Sequence, residues 1–298
     1  LKTRYQGYLF ILPATILLVL LMVYPMWKTF TYSVTDFKLI GNSTTFVGLQ
    51  NFKAVMARYD FLNVLKNTLI WVIVTVFFQF TLAMIVALFL NVKFRGRGVV
   101  QIIALIPWTI PSVVSGNTWK WIFQTDFGLM NALLRQIGLG EFVQPWLSQP
   151  KMAFFSVLFA AIWQGYPFLM IMLLSGLKGI PEDQYEAAMI DGASPIQRFR
   201  FITVPNIKNI IVIVITLQII YAWNTFDIIF VLTGGGPGGA TEILGLFIYK
   251  LGFSSFNFSE AAAVSVLLLA FVIVILMLRN FLTKKETGTM YEKKKITL

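Results

Sequence analysis

The chain has 298 residues, 57% of them hydrophobic and only 12% charged, too apolar for a domain that hides its core from water. Lys and Arg outnumber Asp and Glu by 24 to 13, a formal charge of +11, but the basic residues gather at the ends of apolar runs, which is bilayer topology rather than a nucleic-acid footprint. With no Cys and no His, disulfides, thiolate and imidazole metal sites, Cys nucleophiles and His-based catalysis are excluded, leaving hydrogen bonding, carboxylates and motion.

A hydrocarbon core of ~30 Å takes ~20 apolar residues in a helix. Six segments meet that length, so the sequence predicts an all-α membrane protein with six transmembrane helices. The first, Tyr8–Tyr32, follows Lys2 and Arg4. It lacks a small-x-small cleavage site and continues through Pro25 and Trp27, which reads as a retained span and not a signal peptide. An outer loop over 35–66 separates the N-terminal span (1–34) from a five-span core (67–282) and a tail (283–298). The core holds spans Asn67–Leu90, Val99–Phe123, Met152–Leu177, Ile207–Leu232 and Glu260–Leu282. Pro107 and Pro111 are expected to break the third span and Pro167 the fourth, around a polar lumen that satisfies the freed carbonyls.

Lys2, Arg4, Lys93, Arg95, Arg97, Lys178, Arg198, Arg200, Lys208, Arg279, Lys284, Lys285 and Lys293 to Lys295 all fall on one side, fifteen of the 24 basic residues. The positive-inside rule puts that side and both termini in the cytoplasm. Between spans four and five, on the same side, lies "YEAAMIDGASPIQRFRFITVP", Tyr185 to Pro205. Pro181, Glu182 and Asp183 suit the first turn of a helix, whose positive dipole end favours carboxylates. Asp191 and Gly192 stop that helix, and Ser194, Pro195 and Gln197 spell a cap, a first-turn proline and a capping-box partner for a second one through Ile202. Pro205 then marks the entry to span five. Two helices of ~8 residues are too short to stand alone in water, so the bent pair must pack on something. Its acidic residues disfavour an anionic lipid surface and favour docking into a protein groove.

Glu186-Ala187-Ala188, then Gly192, then Ile202, Val204 and Pro205 resemble the EAA signature of permease subunits in bacterial ABC importers, with Val204 where the family usually has Leu. The wider run from Trp163 to Phe199, with "LTGGGP" after span five, resembles the carbohydrate-uptake branch that includes the maltose and glycerol-3-phosphate permeases. The resemblance implies the type I importer permease fold, with loop 181–205 as a coupling helix seated on an ATPase subunit through Glu186, Ala187, Ala188, Asp191, Gly192, Ile202 and Pro205. It implies a bacterial inner-membrane protein that imports a sugar or oligosaccharide by alternating access. The implied partners are a second homologous permease, giving a heterodimer, two ATP-binding subunits and an extracytoplasmic sugar-binding protein. The chain has no phosphate-binding Gly-x-x-x-x-Gly-Lys-Ser/Thr run. It is therefore read as non-catalytic and without a cofactor of its own, with ATP and Mg on the partners.

Span five carries Gln218, Tyr221, Ala222 and Thr225 at i, i+3, i+4 and i+7, one helical face. On spacing alone this face is either a ligand wall or polar glue between helices. The resemblance implies sugar contact for it, and adds Trp108 and Ser112 on span three and Gly165 and Phe168 on span four. Aromatics stack on sugar rings, and amides and hydroxyls bond their hydroxyl groups. Ala222 departs from the maltose subunit, which has an amide there, so the sugar's identity does not carry over. Asp227 and Glu260 read as interfacial charges, "GGGPGG" as a flexible outer turn, and the charged tail as a solvated end. The alternative function, an ion-coupled secondary transporter, calls for a midplane ionisable group and related halves, and neither is evident.

Overall fold

The structure, a computed structural model, describes residues 2–38 and 43–296. Helix α1 (Lys2–Leu18) passes through a π-helical turn, Val19–Val23, into α2 (Tyr24–Ser33). A short antiparallel hairpin follows, β1 (Thr35–Lys38) and β2 (Ser43–Phe46), with Thr35 opposite Phe46, and then α3 (Gln50–Ala57). The second span is α4 (Phe61–Asn91), longer at its start than the apolar run predicted. The third is two helices, α5 (Arg97–Thr109) and α6 (Ser112–Ile122), bent by 94°. After α7 (Leu129–Gln136) comes α8 (Pro150–Lys178), then α9 (Glu182–Ile190), α10 (Pro195–Arg198), a second π-helical turn at Phe199–Thr203, and α11 (Val204–Trp223). Helices α12 (Asp227–Leu232) and α13 (Leu244–Tyr249) precede a π-helical turn at Lys250–Ser254 and the last helix, α14 (Phe258–Ile296). Five helical segments are long and apolar enough to cross a membrane, six if the bent α5–α6 pair is one span. The expectation for the tail concerns side chains of 283–298, which lie outside those described.

The prolines divide into those that break and those that do not. Ile110 is forced into an extended conformation by Pro111, with φ −80° and ψ 126°, which is why α5 ends and α6 starts in a new direction. The carbonyl freed there is met by a side chain: Gln164 Nε2 donates to Ile110 O at 3.0 Å. Pro107 does not break α5, and Pro167, expected to interrupt the fourth span, lies inside the continuous α8. Both are buried, so neighbouring helices hold the turn against the one missing backbone bond. Pro205 likewise marks no entry: Pro195–Trp223 is one helical segment of 29 residues. The π-helical turn makes this possible. Val204 N donates five residues back to Phe199 O, and the widened turn accommodates the proline ring that follows. The same arrangement stands before Pro25, where Tyr24 N donates to Val19 O.

The chain divides into two compact units, 1–62 with 247–298 and 63–246. In the first, α14 packs on α2 and α3. Asn51 Nδ2 donates to the carbonyls of Ser33 and Thr35, both at 3.0 Å, closing the end of α2, and Phe37 N donates to Ser259 Oγ at 2.8 Å. Glu260, expected to be an interfacial charge, pairs with Arg58 at 3.2 Å, and Arg58 also meets Asp60 at 3.1 Å. The hydrogen bond from Arg58 to Asp60 leads the causes that raise the guanidinium pKa.

In the second unit α8 is the central helix, packed against α5, α6, α11 and α12. Ala83, Ala87, Leu90, Met170, Leu173, Leu177 and Ile207 form its core, small residues on α4 admitting larger ones from α8 and α11. The Gly-rich segment after α12 is tied down rather than free. Asn67 Nδ2 donates to Gly239 O at 3.1 Å and to Glu242 O at 3.2 Å, and the hydroxyls of Thr233 and Thr241 meet at 2.7 Å.

Candidate functional site

Within the second unit the 94° bend leaves a cavity of about 840 Å³ beside α8 and α11. All eight residues singled out from the sequence line it: Trp108, Ser112, Gly165, Phe168, Gln218, Tyr221, Ala222 and Thr225. Trp108 and Phe168 stack with ring centroids 5.6 Å apart and planes at 27°. Trp108 is 50% exposed and Tyr221 75%, so both offer faces to a ligand. The i+7 member of the span-five face is off the helix: α11 ends at Trp223 and the segment predicted to run to Leu232 is interrupted before α12. Thr225 still lies on the same wall because its Oγ1 donates to Tyr221 O at 3.2 Å. Asp227 begins α12 and lines the cavity too.

Several lining residues were not anticipated, Gln164, Trp71 and Gln79 among them. Gln164 holds Ile110 O and also reaches Ser112 Oγ at 3.4 Å. Trp71 and Gln79 come from α4, a span that carried no candidate. Gln79 is 4% exposed and donates from Nε2 to Ala161 O at 2.8 Å, while its Oε1 accepts from Gln218 Nε2. A Cβ on Gly165 would stand 2.2 Å from Gln79 Nε2, so glycine is what lets the amide pass between the helices. A lone amide in the middle of an otherwise apolar run was the available signal, since such a group is retained only with partners. Aromatic faces beside amides and hydroxyls suit a ligand with flat apolar faces and many hydroxyl groups.

The other candidate residues form the bent segment after α8. Pro181 stands just outside α9 at its N-cap, with the first turn starting at Glu182. Gly192 has φ +76°, the left-handed conformation that ends α9, and Ala193 N closes the stop on Ala188 O at 2.9 Å. The capping box forms as expected: Gln197 N donates to Ser194 Oγ at 3.3 Å and Ser194 N to Gln197 Oε1 at 2.7 Å. Two contacts tie α9 to the long helix that follows it. Tyr185 OH and Thr203 Oγ1 are 2.9 Å apart, and Asn206 Nδ2 donates to Gln184 Oε1 at 2.9 Å. Glu186, Ala187, Asp191, Gly192 and Pro205 are exposed, with Ala188 and Ile202 half-buried. Met189, Ile190, Ile196 and Phe201 are also exposed, an apolar surface on an otherwise polar segment.

Residues 79–285 match the family described as the inner-membrane component of binding-protein-dependent transport systems. The chain belongs to that family. It is 38% identical over 287 residues to the trehalose/maltose transport system permease protein of Thermococcus litoralis, covering 94% of this chain and 97% of that one. It is 32% identical over 284 residues to the sulfoquinovosyl glycerol transport system permease protein of Agrobacterium fabrum, covering 94% and 92%. Among solved structures, a chain of a bacterial alginate ABC transporter, in complex with an alginate pentasaccharide-bound periplasmic protein, superposes with a TM-score of 0.85. That match covers 96% of each chain at 23% identity and bears on the fold. This binding-protein-dependent permease therefore has the ABC importer type I fold that the EAA-like residues implied. The family match, together with relatives named as ABC transporter permease proteins, favours the importer-permease reading over the ion-coupled alternative. As a permease component the chain is a multi-pass transport subunit rather than an enzyme.

Proposed function

We propose that this permease imports a sugar or oligosaccharide into the cytoplasm, by alternating access of the α5/α6–α8–α11 cavity. The observation that carries the reading is the cavity wall itself: Trp108, Phe168 and Tyr221 supply ring faces beside the Gln218 amide and the Ser112 and Thr225 hydroxyls. The sugar-transport names of the relatives support the same class of ligand. Loop 181–205 faces the cytoplasm with both termini, and its exposed Met189, Ile190 and Ile196 seat in a cleft on an ATP-binding subunit. Two such subunits bind ATP and Mg and hydrolyse the nucleotide; a second, homologous permease completes the pathway as a heterodimer; a sugar-binding protein outside delivers the ligand. Because α10, the π-helical turn and α11 are continuous from Pro195 to Trp223, a displacement of the docked loop is carried directly to Gln218 and Tyr221 on the cavity wall.

The test is affinity capture of this chain from native membranes in mild detergent, comparing the intact protein with one lacking Glu186 to Gly192. The intact chain is expected to retain an ATP-binding subunit and a second permease, and the deletion to lose the first and keep the second. Capture of the intact, folded chain without any ATP-binding subunit would overturn the reading.

A further inference from the structure

The amides of Gln79 and Gln218 could in principle each face either way, since the two ends of an amide are alike in size. Here chemistry decides. The carbonyl of Ala161 can only accept, so Gln79 must turn its Nε2 toward it, at 2.8 Å. That leaves Gln79 Oε1 facing Gln218, and an acceptor there obliges Gln218 to present Nε2. The order of donors and acceptors therefore propagates from the α8 backbone, through a side chain of α4, to a side chain of α11. The pair sits in the protein interior, Gln79 4% and Gln218 7% exposed, where reversing either amide would set acceptor against acceptor or donor against donor. Gly165 removes the one Cβ that would displace Gln79 Nε2. The remaining acceptor of the chain is Gln218 Oε1, which among the described residues receives no hydrogen bond and belongs to a side chain lining the cavity.

We propose that Gln79 is a positioning residue that sets specificity: by holding Gln218 with its Oε1 free, it makes this part of the cavity wall an acceptor, which selects ligands that donate a hydroxyl there over isosteres that only accept. The proposal rests on the carbohydrate reading. It predicts a discrimination that a merely structural amide would not produce, because a packing role does not distinguish one end of Gln218 from the other.

Uptake is measured in cells carrying the complete transporter, with radiolabelled trehalose, maltose and a panel of neutral and acidic mono- and oligosaccharides. The transported sugar is then compared with analogues in which one hydroxyl at a time is replaced by fluorine, which accepts but does not donate. The wild type is expected to reject at least one analogue by roughly tenfold or more in Vmax/KM, the signature of a buried polar group left unpaired. Gln79→Met frees Gln218 to turn, and should compress that ratio below about threefold, mainly through KM for the parent sugar. Gln79→Glu, whose protonated carboxyl has the same donor and acceptor order as the amide, should restore the discrimination. If Gln79→Met does not accumulate, Gln79→Asn, too short to span both partners, carries the same comparison. Loss of assembly in both assigns Gln79 to packing and overturns the proposal. An unchanged ratio in a variant that assembles, or a wild type indifferent to every fluorinated analogue while still importing the sugar, overturns the relay and leaves the carbohydrate reading standing. Failure to import any sugar of the panel, with the transporter assembled, defeats the carbohydrate reading and the specificity role together.

Discussion

At the scale of the residue, Tyr221 and Gly192 show two ways a single side chain matters. Tyr221 is 75% exposed on the cavity wall, with its ring free of intrahelical duties. Replacing it by alanine removes a stacking surface, worth roughly 0.5–1.5 kcal/mol beyond simple area burial, or about two- to twelvefold in affinity. Tyr221→Ala is therefore expected to lower sub-saturating sugar uptake by about that factor, while capture of the ATP-binding subunit stays at the wild-type level. Loss of capture would mean that the residue packs helices together and does not meet ligand. A Cβ on Gly192 would find nothing within 4 Å, so what requires glycine there is the backbone conformation alone. That requirement was legible in "DGASP", where a helix stop and the next helix's cap are spelled in adjacent residues. Gln79 was not legible in the same way. A single amide in an apolar run signals a partner without saying which helix supplies it, and Ala161 and Gln218 lie 82 and 139 positions away.

Among the elements, caps and turns followed local chemistry, whereas the effect of each proline depended on its surroundings. The Ser194–Gln197 capping box closes as the residues require because all its partners lie within four positions. Ser194→Ala removes the acceptor for Gln197 N and should cost the start of this helix about 1 kcal/mol. On limited proteolysis of the detergent-solubilised chain, cleavage within 181–205 should accelerate by roughly fivefold, the population of opened segment implied by that energy. An unchanged rate would place the stability of the bend in the Tyr185–Thr203 and Gln184–Asn206 contacts instead. The prolines carry no such local answer. Pro111 breaks the third span because Gln164 is present to satisfy Ile110 O, Pro167 is absorbed by buried packing, and Pro25 and Pro205 each follow a π-helical turn that widens the helix before them. A proline reports a missing donor and a steric demand. Whether the helix bends, widens or runs straight on is settled by the atoms around it.

For the whole molecule, the clustering of Lys and Arg predicts an orientation, and that prediction can be tested directly because the chain contains no Cys. Arg95→Cys, at the exposed turn after α4, should react with a membrane-impermeant maleimide only after the cells are opened. Ser148→Cys, exposed before α8, should react in intact cells once the outer barrier is made permeable. The opposite pattern would invert the topology and remove loop 181–205 from any contact with a cytoplasmic ATPase.

What the sequence by itself determined are the properties set by composition and short range: a chain of apolar helices, the positions of most of their ends to within a few residues, a basic side, a helix stop at Gly192 and a cap at Ser194, and membership of a permease family readable in the EAA-like run. Each depends on transfer from water to lipid or on hydrogen bonds between near neighbours. Only the tertiary structure decided that the third span folds through 94°, that Pro195–Trp223 is one rod, and that the amides of Gln79 and Gln218 are aligned by the backbone of α8. The bend depends on Gln164 of α8 reaching the freed Ile110 carbonyl, the rod on the backbone widening before Pro205, and the amide alignment on α8 and α11 lying either side of Gln79; in a membrane, where no water can stand in, each such partner is part of the structure.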